Sequence, residues 1–90
     1  MLTISHDAAR LVRRLTQDAD LPDEAGMRIV IDQNHRSLSM GLARHPEPDD
    51  EIVTSNGVRV FLSRSASKRL ARRDLRAEVT EKRSLFFLDR

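Results

Sequence analysis

Three kinds of side chain in this sequence have chemistry to offer: three histidines, a run of acids and a run of arginines. The histidines are His6, His35 and His45. Imidazole can ligate iron and other transition metals, but neither His6 nor His45 stands at a recognisable ligand spacing from His35. Glu47, Asp49, Asp50 and Glu51 form an acidic cluster. Paired carboxylates can act as general acid and base, yet these lie beside Pro46 and Pro48 in a polar stretch and read as a solvated connector. Downstream, Arg59, Arg64, Lys68, Arg69, Arg72, Arg73 and Arg76 form a basic group relieved only by Asp74. On a helix, Arg64, Lys68 and Arg72 fall on one line, with Arg69, Arg73 and Arg76 on an adjacent one. Guanidinium forks suit phosphate oxygens, so these six are the candidate anion-binding residues. The other reading is a solvated helix side whose arginines meet Glu47, Asp49, Asp50 or Glu51. The basic stretch holds no aromatic for base stacking and no nucleic-acid motif, so nucleic acid is not the expected partner.

Cysteine is absent from all 90 residues. That removes disulfides, thiolate catalysis and thiolate metal ligation together. The chain also lacks a Gly-rich phosphate loop, a nucleophile motif and a His-x-x-x-His pair. No catalytic residue and no cofactor site is read, and the chain is not expected to be an enzyme.

The elements that must carry these groups are legible from local pattern. Ninety residues suit one domain, residues 1–90, with a small core. The only aromatics are Phe61, Phe86 and Phe87, so Leu, Val, Ile and Ala must fill it. Charged residues reach 33% with both signs mixed; apolar periodicity nevertheless favours a folded domain over disorder. No apolar run is long enough for a membrane span. The N-terminus lacks the basic and apolar regions of a signal peptide. A small domain without disulfide staples suits a cytoplasmic setting.

Ser55-Asn56-Gly57 separates two β-prone runs, Ile52 to Thr54 and Val58 to Leu62, and Asn-Gly predicts a tight hairpin turn. Before it, Pro46 and Pro48 lack backbone donors and mark a connector. Ser5 is an N-cap candidate for an amphipathic helix from about Asp7 to Asp18, with Ala8, Leu11, Val12, Leu15 and Ala19 inward. Met27 to Asp32 and Leu38 to Ala43 alternate as a second hairpin around a polar turn. Ser63 or Ser65 caps a helix of two or three turns that ends near Arg73 and Asp74, with Ala66, Leu70 and Ala71 inward. Leu75 to Thr80 alternates as a strand. Ser84 to Leu88 is a continuous apolar run, predicting a closing strand covered on both faces. Short links between paired strands imply antiparallel sheet, hence an α+β domain.

This order, with these residues, resembles the HesB-like family, the A-type iron–sulfur carriers, over nearly the whole chain. Ile4 to Ala9 resembles that family's opening helix, and Ala25-Gly26-Met27-Arg28-Ile29 its Gly-Leu-Arg-Leu strand start. Pro46 to Val53 resembles its acidic connector and next strand. Gly57 to Leu62, followed by a serine-rich helix ending in Leu70, resembles its Gly-Val-x-Val-x-Val hairpin and following helix. The resemblance implies a compact, mostly antiparallel β-barrel-like sandwich flanked by two helices.

The same resemblance implies three cysteine ligands for iron or an Fe–S cluster, one in a Gly-rich loop and two in a Cys-Gly-Cys tail. Here the loop is Asp32-Gln33-Asn34-His35-Arg36-Ser37-Leu38 and the chain stops at Arg90, before any such tail. His35 sits near the place of the loop cysteine and is the one candidate metal ligand. Fe–S clusters are ordinarily held by thiolates. The expectation is therefore a HesB-like scaffold that has lost cluster ligation and acts as an interaction module. Its partner would be an iron–sulfur assembly component or, as a homodimer, its own copy. The alternatives are polyanion binding by the second helix and weak metal binding through His35.

Overall fold

The computed structural model describes residues 1–32, 34 and 37–90. In these, nine elements follow in order: β1 (Thr3–Ile4), α1 (His6–Asp18), β2 (Gly26–Asp32), β3 (Ser37–Ala43), β4 (Glu51–Ser55), β5 (Val58–Leu62), α2 (Arg64–Arg69), β6 (Asp74–Val79) and β7 (Ser84–Asp89).

The Ser5 hydroxyl accepts the Ala8 N–H at 3.1 Å and starts α1, with Asp7 in the first turn complementing the helix dipole. The helix ends where Asp20 takes a left-handed conformation, φ 56°. There the Leu21 N–H reaches Thr16 O and the Asp20 N–H reaches Gln17 O, closing a Schellman motif. Ala8, Ala9, Leu11 and Val12 are buried, whereas Ala19, expected inward, is exposed beyond the last turn.

The Asn-Gly corner is the predicted tight reversal. Ser55 pairs with Val58, and Asn56 (φ 52°) and Gly57 (φ 81°) turn the chain between them. Both central residues at positive φ give the twist that antiparallel strands require. The β2–β3 and β6–β7 hairpins also pair antiparallel as expected.

Two long-range pairings go beyond the local reading. β2 runs parallel to β5, with Met27 beside Val60 and Ile29 beside Leu62. β1 runs parallel to β6. The result is a four-stranded sheet, β3-β2-β5-β4, and a three-stranded sheet, β1-β6-β7, both mixed. The α+β class holds, but among the described residues the strands form two open sheets and no closed barrel. One apolar cluster joins them: Leu2, Ile4, Leu11, Val12, Met27, Ile29, Val60, Leu62, Leu70 and Leu75 are all buried in it.

Two further expectations need correction. The closing strand is not covered on both faces: Phe86 and Leu88 pack on the core, while Phe87 stays 37% exposed. At the edge of its sheet, β7 has one apolar neighbour surface, not two. The second helix is also shorter than its pattern suggested, and Ala71, expected inward, is exposed beyond its end. Ser63, not Ser65, caps it, accepting the Ala66 N–H at 3.2 Å. It ends at Arg69, and Arg72 turns left-handed at φ 67°. An L-residue in that conformation cannot propagate a right-handed helix.

Candidate functional site

The acidic connector and the strand start converge on one ion pair. Arg28, early in β2, donates from Nε and Nη2 to the two carboxylate oxygens of Asp50 at 2.8 and 3.0 Å. The Asp50 side chain is 2% exposed and that of Arg28 29%. The Glu47 N–H adds a third donor to Asp50 Oδ2 at 3.0 Å. These donors, the Arg28 guanidinium foremost, hold the Asp50 carboxyl below the usual carboxylate range. Arg28 lies beside Phe61 in the β2–β5 register, on the face opposite the core-facing Val60 and Leu62. The pair thus draws the Pro46–Asp50 connector towards a fully buried phenylalanine. Of the four acids read as solvated connector, Asp50 is instead a buried structural anchor. The signal was present as a charged residue inside an apolar strand, but its partner stands 22 positions away.

A second anchor holds the hairpin tip. The Asn56 side-chain amide donates to Ile4 O at 2.9 Å, and the Asn56 carbonyl accepts from Arg13 Nη2 at 2.8 Å. The corner therefore ties β1, α1 and the β4–β5 hairpin together.

The candidate anion residues do not form the two helical lines. Arg64, Lys68 and Arg69 lie on α2, Arg72 and Arg73 in the turn after it, and Arg76 on β6. Several meet acids. Arg64 Nη2 approaches Asp49 at 3.7 Å, both exposed. Arg76 approaches Asp89 at 3.4 Å and stacks 5.7 Å over Phe87. Arg73 Nε donates to Asp89 O at 3.4 Å. Glu51 accepts from the Ser67 hydroxyl at 2.9 Å. A shallow cavity of about 190 Å³ places Arg69 and Arg73 beside Ile31, Leu38, Leu70 and Leu88.

His6 and His45 are exposed, and His35 lies outside the described residues. Among the described residues no group of three His, Cys, Asp or Glu side chains could hold a metal ion, and no helix is long and apolar enough to cross a membrane.

No protein-family model and no curated protein matches the chain. Solved structures do. SufA of Escherichia coli, described as involved in biosynthesis of iron–sulfur clusters, superposes with a TM-score of 0.80 at 21% identity, over 97% of this chain and 82% of SufA. This is the HesB-like fold. IscA, solved with a [2Fe-2S] cluster, gives 0.75 at 18% identity over 98% of this chain and 83% of its own. A protein from Aquifex aeolicus, solved in solution, gives 0.72 at 14% identity over 99% and 90%. Identities this low carry the fold alone. Soft thiolate sulfur is the usual ligand of such a cluster, and the 90 residues contain none. Carboxylates and scattered imidazoles are harder donors, so the residues present do not fit a [2Fe-2S] group.

Proposed function

We propose that this chain is a non-enzymatic HesB-fold protein of iron–sulfur cluster assembly, cytoplasmic, which has lost cluster ligation and works through protein contact. The partner is another assembly component or a second copy of the chain. The observation that carries the reading is the pairing of a scaffold superposing on SufA at a TM-score of 0.80 with a sequence devoid of thiols. Anaerobic reconstitution with ferrous iron and sulfide tests it. The expected product, after desalting, is colourless and free of stoichiometric iron. A protein-bound charge-transfer band in the visible would overturn the reading, and loss of that band on His35→Ala would assign the metal to His35.

A second reading has its own observation. Lys68, Arg69 and Arg72 are exposed, and among the described residues none of the three pairs with an acid. Three cations this close together suit a polyanion. Affinity for a short duplex DNA that falls steeply with salt, and is reduced in the K68Q/R69Q/R72Q variant, supports this reading. Absence of binding at low salt ends it.

A further inference from the structure

Where the two sheets part, the apolar core opens to solvent. β3 is an edge of one sheet and β7 an edge of the other, and among the described residues no strand bridges them. The shallow cavity of about 190 Å³ takes one wall from each, beside the end of α2. Its floor continues the core: Leu70 is buried in the apolar cluster, and Ile31 and Leu88 pack against that cluster. Leu38, the partner of Ile31 in the β2–β3 register, stays 39% exposed. Partners across two strands share a face, so Leu38 and Ile31 stand side by side on the core side of their sheet.

The rim of this cleft carries one sign of charge. Arg69, the last residue of α2, and Arg73, in the turn after it, both line it. Arg69 is exposed and pairs with no acid among the described residues. Arg73 gives its Nε to the Asp89 carbonyl at 3.4 Å, which leaves its two terminal nitrogens for another acceptor. Lys68 and Arg72 are the chain neighbours of this pair, and both are exposed. The acids nearest along the chain are Asp32, Asp74 and Asp89. Asp32 and Asp89 directly follow Ile31 and Leu88 in their strands, so alternation turns them to the outer faces. Asp74 stands opposite Asp89 in the β6–β7 register and shares its face. The cleft is left with an aliphatic floor and a cationic rim.

We propose that the cleft between β3 and β7 docks an acidic segment of a partner protein, which seats one leucine-like side chain on Leu38 and Leu88 and sets its carboxylates on Arg69 and Arg73. This rests on the reading of the protein as an interaction module and names the surface and the partner's chemistry. Pockets that enclose a whole small molecule measure roughly 300–1,000 Å³; a cleft of about 190 Å³ suits a single side chain. Guanidinium forks take carboxylates by paired hydrogen bonds, so acids on either side of that side chain match the rim. A nucleic acid could use the cations but not the floor, because no aromatic lines the cleft for a base to stack on.

Fluorescence anisotropy in iron-free buffer tests this with a labelled peptide in which one leucine is flanked on each side by two glutamates. The same peptide with serine for leucine is the comparison. Exposed ion pairs and one seated side chain give the leucine peptide a Kd of about 10–100 μM at low salt. Raising salt from about 20 to 200 mM weakens it at least ~3-fold. The serine peptide binds at least ~5-fold more weakly, having no aliphatic group to take out of water. Arg69→Gln, at an exposed position that does not threaten folding, costs at least ~3-fold in affinity. Leu38→Glu, checked for folding by circular dichroism, costs at least ~10-fold by placing an anion on the floor. Lys82→Gln, in the turn at the far end of β7, changes nothing. In methyl-detected NMR the Leu38 and Leu88 signals shift most on titration. No binding at the lowest salt overturns the proposal. So do equal affinities for the two peptides, a K82Q variant as impaired as R69Q, or methyl shifts centred away from the cleft. Tighter binding of a duplex DNA than of the leucine peptide also overturns it and gives the cations to nucleic acid. Cluster uptake, which decides the wider reading, does not enter this assay, so the two can fail separately.

Discussion

Replacing Asp50 by asparagine removes one charge and keeps the shape of the side chain. In the native protein its two oxygens take two hydrogen bonds from Arg28 and one from the Glu47 N–H, at 2.8 to 3.0 Å, in a site where the side chain is 2% exposed. Breaking a buried pair by removing one partner costs about 3–5 kcal/mol. Arg28 keeps 29% of its side chain in water, so solvent recovers part of that, and the amide oxygen still accepts one bond. A loss of about 2–3 kcal/mol is expected. A domain of this size has roughly 5–13 kcal/mol in all, and the loss lowers Tm by about 10–20 °C. Urea titration followed by circular dichroism, with the slope unchanged, measures it. The pH dependence gives a sharper check. The Asp50 carboxyl titrates lower in the folded chain than in the unfolded one, first because Arg28 bonds its charged form. Its contribution is therefore fully present above the unfolded value near ~3.9 and is lost as pH falls through the folded value. The gap between wild type and D50N should be constant from about pH 6 to 8 and should narrow as pH falls through the unfolded value near ~3.9. A gap under ~0.5 kcal/mol at neutral pH, the size of an ordinary surface substitution, would refute the buried-anchor assignment. So would one that shows no narrowing at about pH 3, where the carboxyl of the unfolded chain is already mostly protonated.

Other substitutions probe the backbone. A methyl on Gly26 would lie 2.3 Å from the Arg59 carbonyl oxygen of the neighbouring strand; Gly26→Ala should cost about 3 kcal/mol or more by denaturant melting, because backbone cannot step aside. At Gly57 the methyl meets only the end of the Arg13 side chain, so Gly57→Ala should cost about 1–2 kcal/mol, mostly from its φ of 81°. Asp20→Gly should raise Tm slightly, by about 0.5 kcal/mol of relieved left-handed strain in the Schellman turn, and a lowered Tm would count against that assignment. Asn56→Ala removes both the side-chain bond to Ile4 O and the residue that best tolerates φ 52°. A loss of about 1–3 kcal/mol is expected from equilibrium unfolding.

Where the causes were local, the order of residues was enough. The Ser5 and Ser63 caps, the Asn56-Gly57 corner and three antiparallel hairpins each arise from residues within a few positions of one another. Their conformations follow from those neighbours, although the Asn56 corner is also held from a distance by Ile4 O and Arg13. The length of α2 was misjudged because Arg72 and Arg73 have ordinary helix propensity. What ends the helix is the turn that brings β6 beside β1, with the Arg72 N–H held by Met1 O at 3.4 Å. The closing strand was misjudged because a continuous apolar run is the same string whether a sheet has a neighbour on one side or two.

Sequence order alone also showed that these 90 residues hold no thiol, since a count needs no coordinates. Placement across distance was another matter. β2 meets β5 and β1 meets β6 only when an apolar cluster gathers segments tens of residues apart, and no local periodicity records which buried strands become neighbours. The same collapse took Asp50 out of an ostensibly solvated acidic run and set it against Arg28. It also dispersed the basic residues over a helix, a turn and a strand. And it set β3 at an open edge of its sheet among the described residues: exposure of an edge is a property of what packs beside it, not of its own residues.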